Sequence, residues 1–292
     1  AVPRESAPPP FLRFQSRGAQ MHSTLARMIS PHRFSSLRSL RACLLRFCSS
    51  RPLRFEQIQR PDRPSIKYAE ADLIVTCFTE SSGLKTYLLR GILKSRKGRL
   101  KPSYFQPLTQ LEIVANHKNK GTLESIKEVK VLHPYSTLHT DIVKSSLVMF
   151  LSEMLKNSII EEEANQGLYL FLEASFQWLD HHEDIANFHT LFLLKLTAYL
   201  GFYPDTSAAH LPYFNLSEGT FEKEDFSIYC ETGQRVEALK QFFGIHFDAI
   251  CSVKLSKNQR MDVLDLVLEY YQLHLHGYKK PKSLAVLQQL FN

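Results

Sequence analysis

The chain has 292 residues, enough for two domains of ordinary size, and 44% of them are hydrophobic, the share of a globular protein. Its net charge of +7 is unevenly spread. Residues 1–64 carry 12 arginines, no lysine and three acids; residues 65–137 carry 12 basic and 6 acidic residues; residues 138–292 carry 12 basic and 20 acidic ones. A basic middle and an acidic end argue for one part that meets a polyanion and another that meets something else. The most apolar run, Leu191 to Leu200, is interrupted by Lys195 and is too short to span a bilayer, so no membrane contact is expected. The five scattered cysteines form no CxxC pair, which speaks against a disulfide framework and for a reducing, cytoplasmic compartment.

Residues 1–64 differ in composition from the rest of the chain. All their basic residues are arginine, and Pro8–Pro10, Ser35-Ser36 and Ser49-Ser50 interrupt them. Arginine-rich, serine-rich and acid-poor is the composition of a transit peptide. The abrupt switch to lysine after this point favours a plainer reading: a disordered extension outside the functional protein. Pro61 and Pro64 remove ladder donors and suit only an edge strand or coil.

Order is expected from about Ser65. DLIVTCFT, Asp72 to Thr79, is β-branched and aromatic and reads as a strand; Ser81-Ser82-Gly83 is a turn; Leu84 to Leu89 is a second strand. A basic loop, Gly91 to Lys101, comes next. Pro107 to Ala115 reads as a third strand, Asn116 to Gly121 as a polar hairpin turn, and Leu123 to Leu132 as a fourth strand closed by His133-Pro134. Short strands with turns about every ten residues point to a small barrel over 65–137.

After Pro134 the period becomes helical. Val143, Leu147, Phe150, Leu151, Met154 and Leu155 share one face, with Thr140 as the expected cap. Leu168 to Leu179 and Ile185 to Leu200 read as further helices, the latter apolar nearly all round, as a central helix is, and ended by Gly201. Residues 203–232 lack periodicity. Val236 to Phe243, Arg260 to Tyr271 and Ser283 to Phe291 complete an all-helical domain over 138–292. The fold class is therefore α+β, a barrel followed by helices.

The basic loop is the most informative local feature. Lys94, Arg96, Lys97, Arg99 and Lys101 place five cations within eight residues, with Tyr87, Tyr104 and Phe105 beside them. Cations neutralise phosphates and aromatic faces stack on bases, the pairing found in single-strand grooves. A solvated surface loop is the plain alternative. His181-His182-Glu183-Asp184 is a weak metal motif, because adjacent helical residues point about 100° apart; Asp184 is expected to cap the next helix, and His274 and His276 to be solvated at a helix end. Glu161 to Glu163 reads as a solvated connection. There is no phosphate-binding glycine loop, no GxSxG and no Cys/His nucleophile pair. No catalytic residue, no metal ligand and no cofactor is expected.

The order of short motifs resembles the RecO family of recombination mediators. Residues 66–113 are similar to its OB domain through Tyr68, Glu70, Asp72, Thr79-Glu80, Gly83, Gly91, Lys94-Ser95-Arg96 and Gln106-Pro107. Residues 193–205, LLKLTAYLGFYPD, resemble the family's central helix and its ending, and residues 270–291 resemble the C-terminal end of the Bacteroidetes-type members. The resemblance implies an OB-fold barrel that binds single- and double-stranded DNA and anneals complementary strands. It implies work with RecR, and indirectly RecF, in loading RecA onto DNA coated with single-strand-binding protein, in a bacterial cytoplasm at the nucleoid, without catalysis. The DNA-facing residues are then Arg90, Lys94, Arg96, Lys97, Arg99, Lys101 and Tyr104, extended by His117, Lys118 and Lys120. The helical domain would take the acidic tail of single-strand-binding protein, with Lys240, Lys254, Lys257 and Arg260 as its cations. Two features depart from the family. Residues 203–232 hold only Cys230, so its four-cysteine zinc site is not expected here, and the segment before Tyr68 lacks an apolar first strand. Two rival readings are a non-catalytic adaptor that binds partner peptides but no DNA, and a metal-dependent hydrolase around His181.

Overall fold

The computed structural model describes residues 71–94, 100–116, 123–160 and 163–290, together with two earlier strands, β1 (Cys48–Ser50) and β2 (Pro52–Gln57). The rest of 1–64, expected to be an unstructured extension, lies outside the described residues, as do Glu161 and Glu162. The two strands correct that expectation. β2 pairs antiparallel with β3 (Leu73–Thr79), and Leu53 also pairs with Gln110 of β5 (Gln110–Asn116); β1 runs antiparallel to the same β5. Pro52 heads β2, the place where a missing N–H is tolerated.

β3 turns through Ser81-Ser82 into β4 (Gly83–Leu89), in register from Leu73 opposite Leu89 to Thr79 opposite Gly83. β6 (Ser125–His133) pairs with β5 on its other edge. The ring returns to β4 through one parallel bridge, Tyr87 to Glu124, with Leu88 N–H donating to Glu124 O at 2.9 Å and Glu124 N–H to Thr86 O at 3.0 Å. The result is the partly open, OB-like form of a small barrel rather than a continuously bonded cylinder. Pleat alternation fills it. Leu73, Val75 and Cys77 of β3 and Leu111, Ile113 and Ala115 of β5 point to one interior, with Tyr87, Leu89, Ile92 and Phe105.

Two barrel residues face the other way. Phe78 and Leu108 are buried in the core of the helical part. Leu108 holds φ at 58°, a left-handed conformation unusual for a branched side chain, and complete burial holds it there.

The helices are α1 (Ile142–Ser158), α2 (Gln166–His181), α3 (Phe188–Leu200), α4 (Gln234–Lys240), α5 (Lys257–His274) and α6 (Leu284–Leu290). α3 is the buried centre expected from its composition, and Gly201 ends it at φ 86°. The cap of α1 is Asp141, whose carboxylate accepts from the N–H groups of Val143 and Lys144; Thr140 instead donates its hydroxyl back to Ser136 O. α5 begins with a reciprocal capping box between Ser256 and Gln259. The domain is not wholly helical. β7 (Tyr213–Asn215), β8 (Thr220–Glu222) and β9 (Cys230–Glu231) form a three-stranded sheet in the stretch without periodicity. Among the described residues, no helix is long and apolar enough to cross a membrane.

One joint between barrel and helices is the turn after β6. Asp180, near the end of α2, accepts the N–H groups of Ser136 (3.0 Å), Thr137 (2.8 Å) and Leu138 (2.9 Å) and both hydroxyls of Ser136 and Thr137. Lys144 of α1 donates Nζ to Asp180 O at 2.9 Å and to Thr137 Oγ1 at 2.8 Å. Burial pushes the Asp180 carboxyl up, but the donated hydrogen bonds outweigh it and hold the group well below the usual carboxylate range. Replacing Asp180 with Ala strands three donors and should cost at least about 3 kcal/mol of stability in denaturant unfolding. The native stabilisation is complete above the unfolded-state value of about 3.9 and is lost as pH falls towards the depressed folded-state value. The acid limb of the stability curve should therefore be shallower in the Ala variant.

Candidate nucleic-acid interface and partner pocket

The basic loop leaves the barrel immediately after β4. Gly91 turns the chain at φ 66° and donates its N–H to Asp72 Oδ1 at 2.7 Å; Leu93 N–H reaches Ala71 O at 3.0 Å. Ile92, 3% exposed, anchors the outgoing end in the barrel interior. The returning end is anchored by Phe105, within the 3-10 turn Pro102–Phe105, and by the partly buried Leu100. Of the described residues at the two ends of the loop, Arg90, Lys94 and Lys101 are exposed and Tyr104 is half-buried. Among the described residues, Arg90, Lys94 and Lys101 make no ion pair, so their charge is uncommitted. Arg96, Lys97 and Arg99 lie outside the described residues, as do His117, Lys118 and Lys120 of the next turn.

Of the aromatics beside the loop, Tyr87 and Phe105 are core residues at 0% and 2% exposure, so Tyr104 alone is left as a stacking surface. The structure adds two cations that the sequence reading passed over, Lys127 and Lys130, on the exposed positions of β6. For Lys130, alternation with Val129 and Val131 was the available signal; Lys127 sits where β6 shifts register, beside the exposed Glu128.

In the helical part, the four expected cations divide. Lys257 and Arg260 line a small pocket with Ala186, His189, Met261, Leu264, Leu287 and Gln288, where α3, α5 and α6 meet. Lys254 is exposed but does not line it. Lys240 is committed elsewhere: its Nζ donates to Leu211 O at 3.0 Å and to Glu237 Oε1 at 2.6 Å, over the Phe221 ring. Arg260 is steadied by Nη1 on Leu255 O at 2.8 Å. The pocket thus offers mostly apolar walls and two cations.

The histidine string takes a different arrangement from the expected one. Asp184 does not cap α3; that helix starts at Asn187 without a side-chain cap, and Asp184 Oδ2 lies 3.6 Å from the Cys251 thiol. His182 stacks on Trp178 at 4.0 Å with rings nearly parallel. His181 and Asp180 are brought beside His133, at the far end of β6. His274 is not a solvated end group: it stacks flat on Phe202 at 5.1 Å and bonds Leu216 O.

A strand ring with cations at the ends of one loop, packed through a shared core on a helical domain, defines a two-part α+β protein. Residues 64–135 match the family described as Recombination protein O N terminal, and residues 139–284 match Recombination protein O C terminal. The chain belongs to the RecO family of DNA repair and recombination proteins. It is similar to the DNA repair protein RecO of Christiangramia forsetii, 53% identical over 227 residues, covering 78% of this chain and 95% of that one. The RecO of Flavobacterium johnsoniae is 50% identical and that of Bacteroides fragilis 33%, each over the same shares of the two chains.

His189 gives the pocket a pH signature. Burial, and then the nearby Arg260 charge, push its imidazole down to about 3. A folded-state value below the unfolded 6.5 means its stabilising share is complete above about pH 6.5 and is lost as pH falls towards 3. Between pH 7 and 5 this single group should cost about 2 kcal/mol. Urea midpoints of native protein and His189→Gln at several pH values check this: the variant's slope should be flatter over that window, whatever its absolute stability.

Proposed function

We propose that the chain acts in homologous recombination by binding single- and double-stranded DNA on its barrel and annealing complementary strands. It would do so as a binding protein, without chemistry of its own. The observation that carries this is the basic loop, anchored at both ends in the barrel, with exposed cations that have no acid paired to them among the described residues. Phosphate attraction needs such charge, and each contact releases condensed counterion. Membership of the family supports the wider role: loading RecA onto strands coated with single-strand-binding protein, together with RecR and, indirectly, RecF.

The acidic helical domain repels phosphates and suits a protein partner. The pocket with Lys257 and Arg260 fits a short acidic peptide with an apolar end, such as the tail of single-strand-binding protein. The two cations would meet its carboxylates, and its apolar group would press on Met261, above the buried Leu264 and Leu287.

Two measurements test the reading. Replacing Lys94, Arg96, Lys97, Arg99 and Lys101 with Ala should lower the log–log salt slope of oligonucleotide binding, read by fluorescence anisotropy, by up to roughly 3.5. It should weaken all sequences alike, because phosphate contacts carry no base information. An unchanged slope would leave the loop as a solvated turn. Arg260→Ala should weaken binding of the acidic tail peptide about tenfold or more, read by calorimetric titration, and leave the DNA slope unaltered. Equal peptide affinity in native and variant chains would remove the pocket from the proposal.

A further inference from the structure

We propose that His133 and His181, with Asp180 beside them, bind one divalent transition-metal ion of the zinc, copper or nickel class at the joint between barrel and helices. One ligand atom from each of the three residues lies within 4.8 Å of the others. In a formed site, donors about 2.0–2.2 Å from the ion stand roughly 3–3.5 Å apart. The half-buried His133 and exposed His181 need only small side-chain rotations to close that gap.

The His181 ring is already oriented. Its Nδ1 lies 2.7 Å from Gln177 O. A carbonyl only accepts, so Nδ1 carries the proton and Nε2 keeps its lone pair. A backbone carbonyl holding the second ring nitrogen is the support that metal-bound imidazoles use. His133 is braced by an edge contact with Tyr135 at 5.2 Å, and its ring centre is 6.0 Å from that of His181. Asp180 contributes a buried carboxylate. Three donors occupy its Oδ1, but both donors on Oδ2 come from Ser136, whose exposed side-chain hydroxyl is free to swing away for an ion. Two imidazoles, a carboxylate and a water make a four-coordinate set that suits zinc. His182 takes no part: its Nδ1 meets Trp178 O and its ring lies on the indole. The ion would tie the end of β6 to the end of α2, beside the turn that Asp180 already holds. It would stiffen the joint rather than catalyse.

The test uses the full chain. Zinc chloride is titrated by calorimetry and its effect on thermal melting is recorded for native protein, His133→Ala, His181→Ala and His182→Ala. Without metal, all four should melt at similar temperatures, since the replaced rings are at least partly exposed. Native protein and His182→Ala should bind one zinc at the joint and gain melting temperature. His133→Ala and His181→Ala should each lose at least about tenfold in affinity. Cobalt(II) substitution should give a spectrum without thiolate charge transfer. Native affinity and stoichiometry in both His133→Ala and His181→Ala would overturn the site. So would a thiolate band, which would place the ion on cysteine.

Discussion

One carboxylate holds the two halves of this protein together. Asp180 collects three successive backbone N–H groups from the turn after β6. No other side chain does this as economically, since an ionised carboxylate accepts without needing a proton of its own. With the turn fixed, Leu138 is buried in the helical core and α1 starts from Asp141 directly behind it. Lys144 lies against the same turn, buried but bonded to Thr137 and to the Asp180 carbonyl, so its charge is met by oxygen rather than left in an apolar wall.

The joint explains why the barrel has two faces of burial. A free-standing OB barrel fills only its interior. Here Phe78 and Leu108 leave the barrel to pack among residues of α1 to α3, and Gln110 bonds Glu173 O and Gln177 across the boundary. The left-handed backbone at Leu108 is the cost of aiming that side chain outward just before β5 turns its own residues inward. Strain of this sort persists only where packing over-determines it. Barrel and helices therefore share part of one core and are not two beads on a linker.

Local pattern carried most of the element order. The β-branched run Asp72–Thr79, the turn at Gly83, the apolar face of α1 and the Gly201 stop were all readable, because each depends on neighbours within one or two turns of chain. What was not readable depends on distance. β7, β8 and β9 are two or three residues long, too short for a period to show. The pairing of β2 with β3 rests on tertiary partners, and its flanking prolines argued against it. Asp180 stands just before the His181–Asp184 string, and nothing local links it to Ser136–Leu138. The candidate DNA residues were legible as charge. Which aromatics stayed outside was not, since Tyr87, Tyr104 and Phe105 differ only in which side of the barrel wall they meet. Of the helical cations, Lys240 is held by Glu237, an i,i+3 neighbour that the sequence shows, and by Leu211 O, which the fold brings beside it.

Under the proposed function, the two groups of cations that remain would meet different ligands, and the physics separates them. Lys94 and Lys101 are exposed, and at an exposed site a single charge pair is worth little and salt screens it. Such residues act by number, and their natural target is a polymer that repeats its charge, with affinity falling steeply as salt rises. Lys257 and Arg260 stand against Met261, Leu264 and Leu287, and Arg260 is held in place by Leu255 O. Lys257 is exposed, but Arg260 is half-buried, so a contact to it would count for more than one in open solvent, and an apolar wall beside it would favour a ligand that brings its own hydrophobic group. Salt should therefore weaken the barrel's interaction far more than the pocket's. Under the proposed function, that difference would let one chain hold a strand and a protein tail together without the two competing for the same charge.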